Sequence, residues 1–129
     1  MKTKNKIFIG KIISKIITFF FSKEQQVKRN GISWRLDLNE GIDLSIFLFG
    51  TSEKKIFNLT KIYNPNKKLI FLDIGSNIGS VSLPLAKLFN NTIIYSIEPT
   101  NYAFKKLKKN LSLNKNLKNQ ILINQLFIS

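Results

Sequence analysis

Two acids, Asp73 and Glu98, are set apart by their placement. Asp73 ends the apolar run Leu69-Ile70-Phe71-Leu72, and Glu98 ends a second run that opens with Thr92, Ile93 and Ile94. Between them lie a turn, Gly75-Ser76-Asn77-Ile78-Gly79, and a stretch with helical spacing. This order reads as a β-α-β unit with a carboxylate at the tip of each strand. Open α/β sheets bind ligands at the carboxyl ends of their strands. Two acids at that position suit a nucleoside-type ligand that carries positive charge.

The turn narrows the choice. A phosphate-binding P-loop needs Gly-Lys-Ser/Thr after four intervening residues, and the sequence has none there. The dinucleotide fingerprint needs a glycine where Asn77 stands, so that backbone can approach a pyrophosphate. Asp73 would in addition repel that dianion. The same carboxylate suits the amino group and sulfonium of S-adenosylmethionine. Gly75 and Gly79 permit close backbone approach and a tight strand-to-helix turn. Glu98 can accept hydrogen bonds from the two ribose hydroxyls. Asp73, Gly75, Ser76, Asn77, Gly79 and Glu98 are therefore the candidate cofactor-binding residues. An Asp-x-Gly turn also occurs as plain α/β architecture, and capping a helix would by itself explain Asn77.

These residues need a scaffold to position them. Leu69 to Ile74 reads as a first core strand buried on both faces. The pattern predicts a helix over Ile78 to Phe89, capped by Asn77 and kinked at Pro84. A strand over Thr92 to Glu98 closes at Pro99. Thr100 can cap a helix over Tyr102 to Leu113, with Phe104, Leu107 and Leu111 inward and Lys105, Lys106, Lys108 and Lys109 solvated. Gln120 to Phe127 reads as a third strand. Alternating strands and helices imply a parallel sheet.

Upstream, Lys23 to Asn30 is polar and reads as a linker. Trp34 to Leu38 alternates like a half-buried strand, and Ile42 to Phe49 has strand composition. Lys54 to Tyr63 has helical spacing and ends at Asn64-Pro65. Within residues 2–22, apolar residues recur from Phe8 to Phe20, while Gly10, Lys11, Ser14, Lys15 and Thr18 fill the gaps. This predicts an amphipathic helix that either packs on the domain or lies on a membrane surface. The run is too short and too charged to span a bilayer. The expected division is a basic helix and linker over 1–30 and an α/β domain over 31–129.

Composition bounds the remaining possibilities. The 129 residues suffice for one small domain, and 43% are hydrophobic. Neither Cys nor His occurs, so no metal site and no histidine base is expected; a reducing, cytoplasmic setting is the simple reading. The net charge is +14, yet all but two of the 21 basic residues are lysines. Base readout and bidentate phosphate clamps favour arginine, which argues against a nucleic-acid partner. Three Asn-x-Ser/Thr triplets, at Asn58, Asn90 and Asn110, read as chance in an asparagine-rich chain.

The stretch DIGSNIGSVSLPLAKLF, then SIEP, then NYAFKKLKKNLSLN resembles the FkbM-type class I methyltransferases, as does the upstream GISWRLDLNEGIDLSIFLFGTSEK. The resemblance covers about Gly31 to Ser129. It implies an α/β, Rossmann-like class I methyltransferase fold and S-adenosylmethionine as methyl donor. It also implies O-methylation of a sugar or other small-molecule acceptor. On that pattern Asp73, Gly75, Asn77 and Gly79 match the first donor-binding motif, and Glu98 matches the ribose-binding acid. Asp43 and Glu53 fall in the family-like upstream stretch without an assigned role. The family's sheet has seven strands and the sequence ends after the third expected one, so the expectation is a donor-binding half, truncated after the third core strand. The alternative is an inactive binding or assembly module.

Overall fold

The computed structural model describes residues 3–127; Lys2 of the expected basic helix lies outside them. Helix α1 runs over Thr3–Phe20. An antiparallel hairpin follows, with strands β1 (Glu24–Arg29) and β2 (Ile32–Asp37), and then helix α2 (Gly41–Phe49). A 3-10 segment, Lys54–Lys61, leads into β3 (Leu69–Ile74), helix α3 (Ser82–Leu88) and β4 (Thr92–Ile97). Helix α4 (Asn101–Leu113), a 3-10 turn and β5 (Ile121–Asn124) complete the chain. Strands β3, β4 and β5 form a parallel sheet in that order, with Leu69 opposite Thr92 and Ile94 opposite Ile121. The parallel sheet and its three strands follow the sequence expectation.

Four local expectations are corrected. The linker over Lys23 to Asn30 is instead strand β1. Asn30 and Gly31 both adopt positive φ, 50° and 75°, which supplies the two left-handed residues of a tight hairpin turn. Ile42 to Phe49 is helix, not strand. Its continuous apolar run fits either period, and Gly50 at φ 78° closes it by donating its N–H to the Ile46 carbonyl. The helix expected from Ile78 begins only at Ser82, so Pro84 falls in its first turn, where a missing N–H costs nothing. Strand β3 is not buried on both faces. Ile70, Leu72 and Ile74 are 67%, 62% and 62% exposed on its outer side.

The core lies on the inner side of the sheet. Trp34, Leu36 and Leu38 from the hairpin layer join Ile46 of α2, Leu83 of α3, Phe89 and Ile94, all essentially inaccessible. Buried amides hold this layer to α4. Asn110 accepts from the Arg35 N–H and donates to the Ile78 carbonyl, while Asn114 accepts from the Ser33 N–H and donates to the Ser33 carbonyl. Asn110 is wholly buried, so its glycosylation triplet is not presented at the surface.

Candidate functional site

The parallel register brings Asp73 opposite Ser96 and places Glu98 just beyond the neighbouring tip. The turn between β3 and α3 is stitched onto that tip. Gly75 and Ser76 both donate their N–H groups to the Ile97 carbonyl, and the Ser76 hydroxyl donates to the Asp73 carbonyl. Gly75, Asn77 and Gly79 take positive φ of 75°, 50° and 89°. This alternation turns successive backbone N–H groups toward the sheet's end. Asn77 is therefore a left-handed turn residue and not the helix cap expected of it.

The two glycines serve different ends. A Cβ at Gly75 would meet nothing within 4 Å, so open space lies over this backbone. A Cβ at Gly79 would lie 3.0 Å from Leu107 and 3.2 Å from Leu83. Gly75 thus leaves room for a ligand, whereas Gly79 lets α3 and α4 pack closely.

Glu98 is 5% exposed, and its carboxylate accepts from the Asn77 N–H at 2.9 Å and the Thr100 N–H at 2.9 Å. The Thr100 hydroxyl donates a third bond, at 2.6 Å. Burial pushes its pKa up, but the Thr100 hydroxyl, the Thr100 N–H and the Asn77 N–H outweigh it, and the net shift is downward. Glu98 is thus held as an anion. A carboxylate offers about four acceptor positions. With three filled, Glu98 can take one further ligand hydroxyl directly, and a second requires Thr100 to turn away.

Asp73 behaves differently. Its carboxylate accepts from the Ser82 hydroxyl, which also bonds the buried Ser96 hydroxyl. Burial raises the pKa of Asp73; the Ser82 bonds oppose this and the negative charge of Glu98 adds to it. One tip therefore carries a firmly ionised acid and the other an acid pushed toward neutrality. Asp73, Gly75 and Asn77 form an accessible rim, with Ser76, Gly79 and Glu98 buried beneath it.

Sequence reasoning gave no role to Asp43 or Glu53. Asp43, 1% exposed, accepts from the Asp37 N–H and pairs with Lys106. Its pKa is raised by burial, against the lowering effect of Lys106. Lys106 is accordingly not part of a solvated lysine face. Glu53 caps the 3-10 segment by accepting from the Lys55 N–H. Both roles support the scaffold. Two open clefts, of about 640 and 650 Å3, lie away from the strand tips. One is the basic groove between β2 and α4 and the other separates α1 from α2, and neither is lined by Asp73 or Glu98.

No known family model matches the chain, and no curated protein matches it. Solved structures do. TYW2 from P. horikoshii, in complex with MeSAdo, matches with a TM-score of 0.58 at 17% identity, over 98% of this chain and 50% of that one. TYW2 from M. jannaschii, in complex with AdoMet, matches at 0.53 and 25% identity, over 80% and 43%. A human methyltransferase 10 domain containing protein matches at 0.54 and 16%, over 98% and 52%. The chain thus spans about half the length of these structures. With the three parallel strands and the turn between β3 and α3, these matches give the chain the Rossmann-like fold of class I methyltransferases.

Proposed function

We propose that this chain binds S-adenosylmethionine at the tips of β3 and β4 and forms the donor-binding half of a methyltransferase. The observation that carries this reading is the Gly75–Gly79 turn, open above Gly75 and anchored through the Asn77 N–H to an ionised Glu98. Those features fit an adenosyl ligand: Glu98 has one free acceptor position for a ribose hydroxyl, and the Gly75 backbone leaves room for the ligand's approach. The ionised Glu98 disfavours a pyrophosphate cofactor, and a cationic amino or sulfonium group beside Asp73 would draw that acid, raised by burial, into its charged form. When bound, the cofactor supplies an electrophilic methyl group. This chain's own residues contribute binding and orientation, which fix the donor's geometry before an acceptor arrives. The MeSAdo and AdoMet in the two TYW2 structures support the choice of ligand.

The likeness of residues 31–129 to FkbM-type enzymes supports a sugar or other small-molecule hydroxyl as acceptor. The cysteine-free sequence supports a cytoplasmic setting. A second reading, an inactive binding or assembly module, is favoured by the exposed outer face of β3.

Calorimetric titration with S-adenosylhomocysteine and with NAD separates these readings. Donor binding requires a response to the first and none to NAD. Glu98→Ala should then weaken S-adenosylhomocysteine by about tenfold to a hundredfold, as loss of a charged hydrogen-bond partner does. A folded sample with no response to S-adenosylhomocysteine leaves the assembly reading.

A further inference from the structure

Helix α1 meets the domain through a narrow stripe and turns a wider apolar stripe away from it. At about 100° per residue, Gly10, Ser14, Ile17 and Phe21 share one side. On that side Ser14 is buried and its hydroxyl donates to the Leu38 carbonyl at 2.7 Å, Ile17 packs on the core, and Phe21 meets Phe47 edge to face. The other side carries Phe8, Ile12, Ile16, Phe19 and Phe20, which are 66%, 43%, 55%, 84% and 73% exposed. Of the apolar residues whose spacing predicts the helix, Ile17 is the one that packs on the core. Beyond the cleft beside α1, Leu48 and Phe49 of α2 extend the exposed apolar surface, and Lys54 lies over the Phe49 ring.

Charge identifies what covers this surface. Lys11 and Lys15, one helical turn apart, border the apolar stripe. The first 23 residues contain six lysines and no acid. A second copy of the chain would bring the same lysines and the same +14 charge against this border, so self-association is electrostatically opposed. No helix among the described residues is long and apolar enough to cross a membrane. An apolar stripe flanked by cations and free of acids suits a helix lying in the headgroup region of an anionic bilayer.

We propose that α1 is a membrane-surface anchor that docks the domain on an anionic lipid bilayer. The apolar stripe enters the acyl boundary while Lys11 and Lys15 meet lipid phosphates. The stripe that meets Leu38 and Phe47 faces the opposite way, so docking leaves the fold intact.

Co-sedimentation of the full chain with vesicles tests this. Vesicles of phosphatidylglycerol and phosphatidylcholine in equal parts should bind it, and phosphatidylcholine alone should bind at least about tenfold more weakly. The variant Ile12→Ser/Ile16→Ser/Phe19→Ser should lose about tenfold or more on the anionic vesicles with an unchanged far-ultraviolet spectrum. In Phe19→Trp, with the fold undisturbed, the new indole should shift to the blue on adding anionic vesicles. Equal binding to both vesicle types would overturn the proposal. So would undiminished binding by the triple variant, an unshifted indole, or a soluble self-association through this face without vesicle binding.

Discussion

Glu98 is the residue on which the site turns, and its role is partly hidden from the sequence. Its place at a strand tip follows from the pattern of the second apolar run. Two of its donors come from Thr100, two residues on, but the third does not follow from local sequence, because Asn77 lies 21 positions away and sits in a left-handed turn. The lowered pKa fixes the sign of a pH effect. Glu98 contributes stability that is present above the ordinary value of 4.5 and lost as pH falls through the lower folded value. Asp73 and Asp43, both raised, act in the opposite sense and favour folding at low pH. The stability gap between the native chain and Glu98→Gln should therefore shrink as the solution is acidified. Urea midpoints of both proteins measured across pH check this, and a constant gap would contradict it. The glycines also separate at this scale. Gly79→Ala should cost about 2–4 kcal/mol, from backbone strain plus overpacking against Leu107 and Leu83. Gly75→Ala should cost only the backbone term of about 1–2 kcal/mol, because the space above it is open.

Elements were legible where one period dominated. Strand β4 and helix α4 fall almost where the β-branched run closed by Pro99 and the 3.6-residue spacing put them. Helix α2 and strand β1 did not, for different physical reasons. The apolar run of α2 satisfies both periods, and its helical choice is decided by Gly50 at its end and by Asp43, which reaches back to the Asp37 N–H. Strand β1 is polar because it is an exposed edge, so its signal lay in the Asn30-Gly31 turn and not in its own residues. The pairing of Asp43 with Lys106 spans 63 positions and joins α2 to α4, which no local pattern reveals. Lys106→Met would leave Asp43 buried without its cation and should cost about 3–5 kcal/mol near neutral pH. Because the pKa of Asp43 is already raised, that cost should diminish in acid, where the carboxyl is neutral. Denaturant unfolding at two pH values measures both effects.

At the scale of the molecule, the hydrophobic composition of β3 implied a strand covered on both sides, and the structure covers one. Ile70, Leu72 and Ile74 face outward, so composition reported what the strand could bury and not what it does bury. Leu72→Lys should accordingly shift stability by no more than about 0.5 kcal/mol, as at other surface positions. A loss of about 2 kcal/mol or more in a melting experiment would mean the face is covered. The same surface logic separates two regions of the molecule. The outer stripe of α1 meets lipid in our proposal, and the strand tips meet the donor. Neither open cleft is the donor site in this account, which gives it a sharp test. Resonances of the backbone amides, followed by NMR during titration with S-adenosylhomocysteine, report on every region at once. The predicted result is a response concentrated at Gly75, Ser76, Asn77 and Thr100, whose N–H groups bond to the β4 tip. Silence at those amides in a folded sample, or shifts confined to the groove between β2 and α4, would contradict donor binding at the strand tips.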